Sequence, residues 1–165
     1  MTQDAILRWM AFQWPGPQVN NTGWAFGFGQ ALHFMGLCLL FGVMLIVDLR
    51  LLNVFKRLPL KPILGLLPLA VVGFVFLVGS GWEFVTTNPK LYWTNPAFRM
   101  KMYLILIAGL NALYFTFYEH HHASLVGAHG ETSFTTKVTA AFSIILWTSI
   151  LLFGRLLQQF TVSVN

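Results

Sequence analysis

Four apolar stretches, each about as long as a helix that crosses a bilayer, dominate this chain. A hydrocarbon layer about 30 Å thick takes roughly 20 helical residues. The runs cover 24–47 (broken only by Gln30 and His33), 63–82 (containing Pro68), 98–118 and 138–157. Lipid is the solvent they require. Of 165 residues 56% are hydrophobic and 9% charged, against about 25% charged in soluble domains, too few to cover a surface facing water. Spanning β-strands would alternate polar and apolar positions, and these runs do not. The expected fold is all-α: an integral membrane, up-down-up-down four-helix bundle, with short connections between antiparallel neighbours. One transmembrane domain accounts for 1–165. A short N-terminal interfacial helix is expected over 4–14, where Ile6, Leu7, Met10 and Trp14 recur at helical spacing beside Trp9 and Phe12. A disordered tail is the other reading of that segment.

The net charge of +5 raises the question of nucleic acid, but the ten basic residues are scattered along the chain and sit mostly at the ends of apolar runs. That distribution suits anchors and topology signals, so no nucleic-acid partner is expected. Arg50, Lys56, Arg57 and Lys61 crowd one connection, which the positive-inside rule places in the cytoplasm. The chain is therefore read as a multi-pass protein of the bacterial inner membrane with periplasmic termini. Basic residues divide five and five between the two sides, so the density of that single loop decides the orientation. The segment 83–95 reads as an outer polar and aromatic loop, and the lone Cys38 as a small buried hydrophobe.

His33 is the most informative residue. It lies about 13 Å down the axis from Trp24 at a rise of about 1.5 Å per residue. Gly29, Gln30, Gly36 and Leu37 share its face. One reading makes His33 an axial metal ligand to haem b, or a hydrogen-bond partner for a quinone, with Gly29 and Gly36 leaving room beside the imidazole. The other has the glycines admit a neighbouring helix, to which His33 bonds. Arg99, Lys101 and Arg155 fall at a similar depth and would hold haem propionates or another anionic headgroup; snorkelling to the interface is the plainer alternative. No second histidine shares that depth, since His120, His121, His122 and His129 lie about 33 Å from the outer end of the third helix. Met102 is the one candidate for a second axial ligand. Asn111, Ser143 and Thr148 are expected to bond between helices, and Asp48 with Arg50 to balance charge at the inner face.

The histidine-rich YEHHHASLVGAHGE lacks the His-x-x-x-His spacing that chelates from one helical face, and it reads as a solvated loop. No nucleophile elbow, phosphate-binding glycine loop or intramembrane carboxylate pair occurs, so no catalytic residue is assigned.

The segments LHFMGLCLLFGVMLIVDLRLL (32–52), NPAFRMKMYLILIAGLNALYF (95–115) and SIILWTSILLFGR (143–155) resemble an uncharacterised bacterial family of four-helix inner-membrane proteins. They are loosely similar to the copper-resistance D and cytochrome b membrane families in using a histidine on an early helix. The resemblance implies that His33, Asp48, Arg50, Lys101, Asn111 and Arg155 matter. Family members place a histidine near the end of the third helix where this chain has Tyr114, Phe115 and Thr116, which counts against a two-ligand haem. Two functional readings stay open. The first is a redox protein binding haem or quinone near the outer face through His33, with Gly29, Gly36, Arg99, Lys101, Met102, Asn111 and Arg155 around the cofactor. The second is a non-catalytic subunit that docks a membrane or periplasmic partner, or a second copy. A transporter using the histidine loop ranks last, for want of intramembrane carboxylates and broken helices.

Overall fold

The computed structural model describes residues 3–126 and 130–162. All regular structure among them is helical: α1 (Gln3–Ala11), α2 (Gly16–Asn21), α3 (Ala25–Leu51), α4 (Leu60–Leu64), α5 (Leu67–Thr87), α6 (Pro89–Thr94), α7 (Pro96–Tyr114), a π-helical turn (Phe115–Glu119), α8 (His120–Ser124) and α9 (Phe134–Val162). Four helical segments are long and apolar enough to cross a membrane: Ala25–Leu51, Leu60–Thr87, Pro96–Glu119 and Phe134–Leu157. The protein is an all-α four-helix membrane bundle, as the apolar runs require.

Helix ends follow local chemistry more than hydropathy. Asn88 accepts a hydrogen bond from Leu91 N and Asn95 one from Ala97 N, each capping a helix with proline just inside it. The expected loop over 83–95 is therefore mostly helix: α5 continues past Glu83 to Thr87, and α6 follows directly. The apolar count stopped at Trp82 because Glu83 is charged, but a helix need not stop where its hydropathy does. The interfacial segment forms α1 and is followed by α2. It is fastened to α5 by Trp82 Nε1 donating to Trp14 O at 3.0 Å and by Gly16, whose position leaves 2.6 Å between an added Cβ and Thr86 O.

The bundle is assembled from two antiparallel pairs, α3 on α5 and α7 on α9, joined along α3 and α9. Direct contact between α5 and α7 is nearly absent among the described residues. Within the first pair the backbones touch. A Cβ on Gly36 would lie 2.7 Å from Gly73 O, and one on Gly73 2.7 Å from Leu40 N, the close approach that small residues permit in lipid. Toward the basic connection, Leu40, Val43, Val47, Leu51, Leu60 and Ile63 form the main apolar core. A smaller cluster of Ala108, Leu146 and Ile150 seals α7 to α9. Cys38, expected to be buried, is exposed on α3; in a bilayer that is an ordinary place for a small apolar side chain.

Candidate functional site

Gly29, His33 and Gly36 share one face of α3, and that face meets α5. The room the two glycines would leave beside the imidazole is filled. Gly36 is the crossing point with Gly73, and Gly29 lies under the Glu83 carboxylate, which an added Cβ would strike. Between them His33 Nδ1 lies 2.8 Å from Ser80 Oγ. Ser80 Oγ in turn donates to Phe76 O at 2.6 Å. With its own proton committed to that carbonyl, the serine accepts from His33, so Nδ1 carries the imidazole hydrogen and Nε2 the lone pair. The Phe84 ring stands 5.4 Å from the imidazole. This is the interhelical arrangement that sequence reasoning held as the alternative to a cofactor cradle. With the hydrogens so assigned, Nε2 is the nitrogen available as an acceptor or ligand.

Lys101 reaches the same region from α7. It is near enough to His33 to interact electrostatically, and its Nζ lies 3.6 Å from where a Cβ on Gly154 would sit. Gly154 thus opens the space on α9 that the lysine side chain occupies. His33 of α3 has Ser80 of α5 as its hydrogen-bond partner and Lys101 of α7 within electrostatic reach, while Glu83 of α5 lies one turn away over Gly29. Glu83 Oε1 is buried there without a hydrogen-bond partner. A buried carboxylate oxygen left unpaired costs free energy, so this oxygen keeps unsatisfied polar capacity beside Gly29.

The other residues named from sequence lie elsewhere. Arg99, two positions before Lys101, falls on a different face and lines a separate cleft with Met102, Tyr103 and Trp93. Met102 is 42% exposed, so the structure does not bring it to His33 as a second ligand. Arg155 is exposed on α9. Asn111 sits toward the opposite half, donating through Nδ2 to Thr139 O at 3.3 Å, the interhelical bond expected of it. Thr148 is exposed.

At the basic end, Asp48 and Arg50 do not pair. Arg50 is wholly buried; its Nε donates to Leu58 O at 2.6 Å, and its Nη1 lies 3.5 Å from Asn53 Oδ1. The connection after α3 wraps around the guanidinium, helped by Thr132 Oγ1 donating to Leu51 O at 2.6 Å. Asp48 instead points into the α3–α9 interface toward Ser143. Asp48 Oδ2 and Ser143 Oγ are both buried without a hydrogen-bond partner. Two residues apart on a helix means roughly 200° of rotation, which is why the expected pair cannot form.

His120 and His121 are helical rather than in a loop, and the His120 ring packs edge-on against Phe115 at 6.2 Å. His129 lies outside the described residues. Among the described residues no three His, Cys, Asp or Glu side chains gather as a metal site. Sequence reasoning missed Ser80 and took Glu83 only as a partner for the cations at the helix ends; the signal was a serine and a glutamate three apart, one helical turn, at the close of an apolar run. In comparison with known proteins, residues 18–160 match the model of a family of unknown function (DUF6644). No curated protein and no solved structure matches.

Proposed function

The chain belongs to DUF6644, and from that premise we propose that it binds a lipid-soluble redox carrier of the quinone type at His33. The observation that carries this reading is the pinned imidazole. Ser80 holds Nδ1, which leaves Nε2 as the free ring nitrogen, and Lys101 of a different helix lies within electrostatic reach of the imidazole. An acceptor nitrogen and a donor cation in one region suit the hydroxyl and carbonyl groups at the ends of a quinone and its reduced form. Such a carrier would supply two electrons and two protons in its reduced form and take them up in its oxidised form. The near absence of contact between α5 and α7 leaves a side of the bundle through which a hydrophobic molecule could enter from the bilayer. In this reading Lys101 would donate a hydrogen bond to a carbonyl oxygen of the oxidised carrier, His33 Nε2 would accept one from a hydroxyl of the reduced carrier, and Ser80 keeps the imidazole oriented.

Haem is the second version of the same reading, favoured by a tautomer with its hydrogen on Nδ1, since a ligating histidine usually donates its other ring hydrogen to an oxygen. Its geometry fits less well. Phe84 stands beside the imidazole, Gly29 and Gly36 are filled by α5, and Met102 lines a different cleft. A porphyrin needs one open face of the ring.

Purification of the full chain in mild detergent, then solvent extraction with chromatography and a visible spectrum of the intact protein, separates the versions. Quinone is expected to co-purify, and to fall at least tenfold in His33→Ala and Lys101→Met. A Soret band lost in His33→Ala would replace quinone by haem. Neither pigment, or quinone retained equally by both variants, would overturn the reading in favour of a subunit that anchors a partner.

A further inference from the structure

We propose that the cleft between α6 and the first turns of α7 is a binding site for one anionic phospholipid, with its phosphate on Arg99. The cleft has a volume of about 600 Å³ and is lined by Trp93, Phe98, Arg99, Met102 and Tyr103, with Gln3 of α1 at its rim. Its lining combines one guanidinium with an indole, a phenol, a thioether and a phenyl ring. A phospholipid offers partners for both kinds of group, a phosphate for the cation and esters and acyl chain for the rest. The cleft also lies at the right depth. Trp9, Trp14, Trp24 and Trp82 are all at least 42% exposed and stand at the same end of the bundle, the position of an aromatic belt at headgroup level.

Charge selects the class of lipid. The one ion pair formed among the described residues joins Lys56 and Glu131 at the opposite end, so no described carboxylate neutralises Arg99. A neighbouring cleft of about 290 Å³ adds Arg8 and Lys90 against Asp4, leaving this rim positive. Arginine holds a phosphate through two parallel N–H groups. The apolar part of the cleft favours a lipid over a soluble phosphate, because Met102 and Tyr103, 42% and 56% exposed, continue it down the lipid-facing side of α7. Arg99 and Lys101 therefore divide the work that their proximity in sequence suggested they share: Lys101 faces the bundle and Arg99 faces the membrane. The site is independent of what occupies His33.

The full chain, reconstituted in phosphatidylcholine nanodiscs containing a minor fraction of phosphatidylglycerol, is released into detergent and its retained lipids are weighed by native mass spectrometry. The intact protein is expected to keep phosphatidylglycerol at least fivefold above its share of the bilayer. Arg99→Gln should bring the ratio close to one, Arg99→Lys should keep part of it, and Lys61→Gln, in the distant basic connection, should leave it unchanged. Circular dichroism checks that each variant retains its helices. Equal retention of both lipids by the intact protein, or an undiminished preference in Arg99→Gln, would overturn the proposal. Displacement of the lipid by glycerol phosphate would also overturn it, since the ligand would then be a soluble phosphate.

Discussion

Asp48 and Arg50 stand two positions apart and show how differently one helix end can treat opposite charges. Arg50 is enclosed but served: a backbone carbonyl and an amide oxygen take its hydrogens. Asp48 is almost as enclosed, with one oxygen short of a good hydrogen bond and the Ser143 hydroxyl as the polar group it faces. Removing a buried group that has partners strands them, whereas removing a buried charge that has no counter-charge relieves a desolvation cost. Arg50→Ala is therefore expected to destabilise the protein by about 3 kcal/mol, and Asp48→Asn to be neutral or stabilising by about 1 kcal/mol. Thermal unfolding in detergent followed by circular dichroism checks both; a large loss in Asp48→Asn would mean that the carboxylate has a counter-charge. Glu131 behaves in the ordinary way. The hydrogen bond from Lys56, and then that cation's charge, hold its carboxyl below the usual 4.5. A depressed acid contributes stability above its unfolded value and loses it as pH falls through the folded one. Acid titration of unfolding below about pH 4.5 should thus show a small slope that Glu131→Gln and high salt both remove, small because both side chains are exposed.

At the level of elements, the glycines separate what sequence can tell from what it cannot. That small residues on α3 would admit a neighbour was legible in Gly29, His33 and Gly36. Which neighbour, and that Gly73 would meet Gly36, was not, because hydropathy carries no pairing information inside a bilayer where every surface is apolar. The same blindness hid Ser80 and the placement of Glu83. An apolar count marks where a helix is greasy, and α5 runs five residues beyond the last residue so counted, Trp82, to Thr87. The spans and the N-terminal helix were readable because length and periodicity are properties of one segment alone. Ser80, Glu83 and Gly154 required the packing of several. A paired substitution tests the crossing. Gly36→Ala puts a methyl 2.7 Å from a backbone oxygen and should cost about 2–3 kcal/mol, as overpacking does. Gly42→Ala on the same helix has nothing within 4 Å and should be neutral or slightly stabilising, since alanine is the better helix former. Equal losses in the two would mean that the α3–α5 contact is looser than its geometry implies.

For the molecule as a whole, the consequence is a division into two hairpins that share one seam. Since α3 and α9 alone join the pairs extensively, the relative placement of His33 and Lys101, on opposite hairpins, is decided at that seam and not by the loops nearest them. Ala140 belongs to the seam: it is 1% exposed on α9 within the core that holds Leu40, Val43 and Val47 of α3. A leucine there has no space to occupy, and overpacking of this kind costs about 1–3 kcal/mol, less than each hairpin loses by unfolding in lipid, where its backbone hydrogen bonds have no alternative partner. The hairpins should therefore shift relative to one another while staying helical. With Cys38 replaced by alanine, spin labels at the exposed Val78 of α5 and Leu106 of α7 report the distance across the open side, and labels at Ile46 of α3 and Val71 of α5 report a distance within one hairpin. In Ala140→Leu the first distribution is expected to broaden or lengthen while the second stays sharp and the helical signal is kept. If both broaden together, the bundle packs as a single unit and the polar spot around His33 does not depend on the seam. If neither changes, the hairpins are held by the connections at their ends, and α6 with its two asparagine caps becomes the element that sets the site.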